Sequence, residues 1–234
     1  MTAHARLHTR FCDLVGVEYP IVQTGMGWVS GAGLTAATAS AGGLGLIASA
    51  TMDFGQLRTA IAQVKRTTTN PFGVNLRADA ADIGDRIKLL IDEQVKVASF
   101  AQAPKETLIG QLHAGGVLVV PSIGAKRHAE KVLEWGVDAV LVQGGEGGGH
   151  TGSVPTTILL PQVVDAVQGR VPVIAGNEMP DNLWKRHALA VARGSAHTLP
   201  RADSTSSTSS VSSMRCGTPS ICLVTTVSVT VLPR

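Results

Sequence analysis

Aromatic residues make up only 3% of the 234-residue chain, and it holds only three cysteines. So few large rings argue against an aromatic-rich β-sandwich. Cys12, Cys216 and Cys222 are too few and too scattered for a disulfide framework or a cysteine-based zinc site, which suits a reducing cytoplasm. No apolar run approaches the ~20 residues that cross a bilayer. The opening "MTAHARLHTRFCDL" lacks the apolar centre of a signal peptide. A dense Lys/Arg stripe interleaved with aromatics is also missing, which excludes a nucleic-acid face. Residues 1–177 carry 14 Lys/Arg against 14 Asp/Glu, so the net charge of +3 arises wholly in 178–234, where the numbers are 6 and 3. There is no P-loop and no Ser or Cys nucleophile motif, and no metal is expected.

What the chain does have is glycine, 26 residues of it, and short β-branched apolar runs at a regular interval. The runs are "PIVQTG", "GLGLIAS", "FGVNL", "VKVASFA", "VLVVPSI", "AVLVQGG" and "VPVIAG", and their starts lie 23, 29, 23, 22, 22 and 32 residues apart. Continuous apolar runs of this length are expected for strands buried on both faces, as in a parallel sheet. Helical patterns fill the gaps. "DFGQLRTAIAQVKRTT" sets Leu57, Ile61 and Val64 on one face, with Asp53 as N-cap. "PTTILLPQVVDAVQG" holds Pro155 and Pro161, which predicts a helix that begins late.

Strand followed by helix, seven times over, is an α/β pattern. The repeat length, the lack of GxGxxG after the first strand, and the polar or glycine residues at most strand ends favour a (β/α)8 TIM barrel over a doubly wound sheet. The barrel reads as incomplete, with about seven β/α units and no recognisable eighth strand. Residues 1–177 form it. Residues 178–234 change character: 204–213, "STSSTSSVSS", hold seven serines and two threonines. The closing "ICLVTTVSVTVLPR" has strand composition without an evident partner. This segment is expected to be a low-complexity, disordered or frameshifted tail.

Ligands of such barrels gather at the C-terminal strand ends, which here read Gln23-Thr24-Gly25-Met26, Asn75, Ser99, Ser122 and Gln143-Gly144. After the sixth strand comes "GGEGGGH", five glycines among seven residues ending on His150. Such a backbone can approach a planar ligand closely or simply form a flexible turn. An imidazole at its end can take or hold a proton near neutral pH. Gly25 and Met26 offer backbone amides and a soft apolar wall, or Met26 and Trp28 only pack the barrel mouth. Asn75 and Gln143 each carry a donor and an acceptor suited to a heterocycle edge, a turn-forming Asn being the alternative.

The strand-one "PIVQTGMGWVSG", "PFGVNL" and "DAVLVQGGEGGGHTG", in this order, resemble the nitronate monooxygenase (2-nitropropane dioxygenase) family, FMN-dependent barrels related to flavin-dependent enoyl-ACP reductases. The resemblance covers about residues 10–176. It implies an FMN flavoprotein in which Gly25, Met26, Asn75, Gln143, Gly148 and Gly149 line or hold the flavin and His150 is catalytic. The implied activity is a monooxygenase oxidising alkyl nitronates with O2 to a carbonyl compound and nitrite. The alternative is an NAD(P)H-dependent flavin reductase acting on an acyl thioester, enoyl-ACP reductase-like or on a steroid-ring CoA intermediate. A catalytically inactive truncated barrel is the third reading. The implied partner is a small molecule, nitronate or acyl-CoA-like, with a homodimer as the assembly considered. One stretch departs from the family: Asn177 and Glu178 follow strand seven where phosphate-gripping glycines are expected, and a carboxylate there would repel phosphate. Weak FMN retention is the consequence expected for this reading frame.

Overall fold

The short apolar runs pair side by side because only a parallel sheet covered on both faces can bury them completely. The computed structural model describes residues 8–146, 152–176 and 221–224. The strands are β1 (Ile21–Gln23), β2 (Leu44–Ala48), β3 (Phe72–Leu76), β4 (Val97–Phe100), β5 (Leu118–Ile123), β6 (Val140–Gln143), β7 (Val173–Gly176) and β8 (Ile221–Val224). Each pairs in parallel with the next, and β8 returns to β1, closing the barrel. Helices α1 (Arg10–Val15), α2 (Ala32–Ser40), α3 (Phe54–Thr67), α4 (Ile83–Asp92), α5 (Glu106–Ala114), α6 (Lys126–Glu134) and α7 (Thr156–Val167) precede or follow the strands. This is the TIM barrel that the strand–helix repeat predicts.

Strand alternation divides the core in two. Outward residues such as Ile47, Val74, Phe100, Val119 and Val142 pack on Leu57, Ile61, Leu90, Ile109 and Val163 of the helices. Inward residues Val22, Leu44, Leu46, Val97, Val120, Leu141 and Ile174 fill the barrel centre. Phe11, Cys12 and Val15 of α1 join this inner cluster. The Arg10 guanidinium donates to the carbonyls of Gly169 and Arg170, just before β7, so α1 closes the N-terminal end of the barrel.

Leu57, Ile61 and Val64 are buried on one face of α3, as their spacing predicts. Asp53 caps that helix in a full capping box: its carboxylate accepts from Gln56 N at 2.8 Å, and Gln56 Oε1 accepts from Asp53 N at 2.9 Å.

Three features depart from the sequence expectation. First, an eighth strand exists. Ile221–Val224 lie within the expected tail, yet pair with Val173–Ala175 on one side and Ile21–Val22 on the other. The remainder of 178–234 lies outside the described residues. Second, α7 does not begin late: it starts at Thr156, directly after Pro155, and runs through Pro161. Pro155 supplies its carbonyl to Ile158 N and Leu159 N, so the first turn needs no donor from the proline. Pro161 sits on the exposed side while Leu159, Val163 and Val167 are buried opposite, and that burial outweighs the one hydrogen bond proline removes. Third, α1 was not expected; it is six residues long, too short for a periodic pattern.

Candidate functional site

The inward side chains change character along the barrel axis. Since Phe72, Val74 and Leu76 face the helices, Gly73 and Asn75 face inward; the same alternation turns Ser99, Ser122 and Gln143 inward on β4, β5 and β6. Below them lie Leu46, Val97, Val120 and Leu141. The interior thus passes from aliphatic to amide and hydroxyl toward the C-terminal mouth. Asn75 Nδ2 lies 3.4 Å from Ser99 Oγ, a bond at the long limit, and Asn75 stays partly exposed.

Gly25, at the end of β1, lies directly against Asn75. A Cβ placed on it would stand 2.5 Å from Asn75 Cβ and 3.0 Å from Asn75 Cγ. Glycine is therefore required by close approach, and two of the residues singled out from the sequence meet. Met26, the next residue, is partly exposed on the same loop. Ser30 ties that loop down. Its buried hydroxyl donates to Thr24 O at 3.0 Å and accepts from Met26 N at 2.9 Å and Gln23 Nε2 at 2.8 Å. The Ser30 N–H also donates to Met26 O at 2.8 Å. Six residues of loop are folded over one serine.

The β2–α3 connection is held from outside the barrel. Arg86 of α4, only 8% exposed, donates to Ser49 O at 2.9 Å, Met52 O at 2.8 Å and Asp82 Oδ2 at 2.8 Å. Its charge and hydrogen-bonding capacity are met by an ion pair and two carbonyls, which makes burial tolerable. Ser49 Oγ in turn donates to Asn75 O at 2.7 Å. Neither Arg86 nor Ser30 stands out in the sequence; the only signal is the Asp82/Arg86 spacing of four on a helix.

Gln143 ends β6 and is partly exposed at the mouth. The glycines beyond it answer a different need from the one expected. A Cβ on Gly144 would overlap Thr156 N, and one on Gly152 would overlap the Gly124 carbonyl. Gly145 N donates to Val154 O at 2.9 Å. For Gly144, Gly145 and Gly152 the vacated space is filled by protein, not left for a flat ligand. Gly148, Gly149 and His150 lie outside the described residues, so their assigned roles remain expectations.

Glu146 secures the far side of this loop. Its carboxylate accepts from Thr156 N at 2.8 Å and Thr156 Oγ1 at 2.9 Å, at the N-terminus of α7. The Thr156 backbone bond holds its pKa below the ordinary value, against a weaker upward push from desolvation. A lowered folded pKa means the contribution is present above the unfolded carboxylate value and is lost as pH falls through the folded one. Because the group is exposed, Glu146→Ala should cost about 1 kcal/mol or less at neutral pH. The difference in Tm between wild type and variant should shrink as the buffer is taken below about pH 4. A gap independent of pH would show that the charge is not what caps α7.

Among the described residues no three His, Cys, Asp or Glu side chains converge as a metal site. Among them, too, no helix is long and apolar enough to cross a membrane.

Comparison with known proteins fits this barrel. A family model described as nitronate monooxygenase matches residues 8–88 and 82–183. A Mycobacterium tuberculosis protein named (3aS,4S,5R,7aS)-5-hydroxy-7a-methyl-1-oxo-octahydro-1H-indene-4-carboxyl-CoA dehydrogenase is 60% identical over 185 residues, 79% of this chain and 52% of the relative. Among solved structures, FabK from Thermotoga maritima matches with TM-score 0.73 and 35% identity, over 81% of this chain and 59% of that one. Nitroalkane oxidase from Streptomyces ansochromogenes matches with TM-score 0.67 and 28% identity, over 78% and 64%. The chain spans about half the length of the curated relative named here.

Proposed function

The chain belongs to the nitronate monooxygenase family, and from that premise we propose that it performs flavin-dependent redox chemistry on a CoA thioester. The observation that carries the substrate class is the 60% identity to a relative whose name describes a dehydrogenase of an octahydro-indene carboxyl-CoA. That identity moves the acyl-thioester reading ahead of alkyl nitronate oxidation. The nitronate reading stands second, supported by the family description and by the 28%-identical nitroalkane oxidase.

The residue types at the described mouth support this reading. Gly25 lets the β1–α2 loop close against Asn75, and Met26 beside it offers an apolar, polarisable surface. Asn75 and Gln143 stand at strand ends, where amides can match the mixed donors and acceptors of an isoalloxazine edge. Gly148 and Gly149 are proposed to line the same ring with backbone. Bound there, FMN supplies the two-electron carrier that protein side chains lack. His150 is proposed as the group that takes or delivers the substrate proton. Asn75 is kept in place by its β3 backbone, which Ser49 and, through it, Arg86 brace. NAD(P)H is the proposed external electron partner of the acyl-thioester reaction, and O2 that of nitronate oxidation.

Two assays on flavin-supplied protein separate the readings. The CoA-thioester reading predicts electron transfer between NAD(P)H or an artificial acceptor and a fused-ring acyl-CoA, and little nitrite from propyl nitronate. Rapid nitrite release without response to any acyl-CoA would reverse the order.

A further inference from the structure

Trp28 is 89% exposed, and Val29 beside it is 50% exposed. An indole this open gains nothing from the barrel core, so packing does not explain it. Its backbone is also in the left-handed region, at φ 67°. That region suits glycine or asparagine and is costly for a bulky side chain, so the surroundings must hold it.

They do so at several points. Trp28 N donates to Thr51 Oγ1 at 3.4 Å, and a Cβ on Gly27 would already stand 3.2 Å from Thr51 Cγ2. Thr51 lies between Ser49 and Met52, whose carbonyls Arg86 grips. From the other side, Val29 N and Ser30 N donate to Met26 O. The loop is braced at both ends, and among the described residues the indole at its tip is exposed. Trp28 is two residues beyond Met26 and three beyond Gly25, the residue that abuts Asn75. Residues held in sparsely populated backbone regions cluster at active sites and ligand clamps.

We infer that Trp28 is a specificity-determining contact whose indole packs against the fused-ring, apolar part of a CoA-thioester substrate. This rests on the CoA-thioester reading above. Among the described residues, the exposed large apolar side chains at this tip are Trp28 and Val29. Two exposed apolar side chains fall far short of the ~800 Å² per partner that a stable protein interface uses, whereas they match the face of one bicyclic ring.

The test uses the whole chain, supplied with flavin, as wild type, Trp28→Ala, Trp28→Phe and Trp28→Gly. Each is titrated with the CoA thioester of a fused bicyclic acid and with acetyl-CoA. Trp28→Ala and Trp28→Gly should weaken the bicyclic thioester by about 10-fold or more, move acetyl-CoA less than about 2-fold, and leave flavin affinity unchanged; Trp28→Phe should stay within about 3-fold. Trp28→Gly should also keep or raise Tm, because it relieves the left-handed backbone. A structural role would instead lower Tm in Trp28→Gly and weaken both thioesters together. Unchanged bicyclic affinity in Trp28→Ala overturns the assignment of Trp28 alone. A wild type that binds flavin but neither thioester overturns the substrate reading, and the Trp28 inference with it.

Discussion

Replacing His150 by alanine is expected to lower turnover by about 100- to 10,000-fold, the range associated with losing a positioned proton-transfer group. The substitution removes the imidazole and leaves Gly148 and Gly149 before it untouched. Flavin affinity should therefore change little, and the loss should fall on kcat rather than on KM. Steady-state kinetics at saturating flavin check this. A His150→Ala protein with near-wild-type kcat would remove the imidazole from the chemistry. One that lost flavin and activity together would make His150 part of the binding site.

The second large effect is expected at Gly25. Alanine there brings its methyl carbon to 2.5 Å from Asn75 Cβ, the root of the side chain and not its movable end. Either the β1–α2 loop or strand β3 must move. Overpacking of this kind costs about 1–3 kcal/mol, and here the displaced group is one that should touch the flavin. Gly25→Ala should lower Tm and weaken flavin binding at least about 10-fold. Adding Asn75→Gly to the same chain removes the clash. The double variant should recover most of the lost Tm without recovering flavin affinity, a non-additivity expected of residues in contact. Additive losses in Tm would show that the close approach of Gly25 and Asn75 is not the source of the effect.

The parts of this molecule that can be read from its sequence are those governed by burial with a simple period. Seven strands follow from continuous apolar runs, and α3 from Leu57, Ile61 and Val64 with Asp53 before them. Asn75 and Gln143 stand out because each is a polar residue at or next to the end of an otherwise apolar strand; their part in binding is a proposal. The eighth strand escaped because 44 residues, 177–220, separate it from β7, far outside the spacing of the other units. Its four residues then lack local context. The start of α7 differs from the sequence expectation because proline's penalty is local, whereas the burial of Leu159, Val163 and Val167 is a tertiary gain.

The site's supports were illegible for another reason. Ser30 and Arg86 act by donating to carbonyls of distant loops, and nothing in a linear pattern marks which serine or arginine will find them. The glycine-rich stretch shows the opposite hazard. Its composition suggests space for a ligand, yet Gly144 and Gly152 are small because Thr156 and Gly124 press against them. Glycine reports close approach without naming what approaches.

A flavin-fluorescence titration with FMN and riboflavin in parallel tests the barrel mouth itself. If Gly25, Met26, Asn75 and Gln143 hold the isoalloxazine, both ligands should be quenched on binding and Asn75→Ala should weaken both. With Glu178 following β7, the phosphate should add little, so the two wild-type affinities should agree within about 10-fold. Wild-type protein that quenches neither flavin, or an Asn75→Ala variant that binds both unchanged, would contradict this placement of the ring.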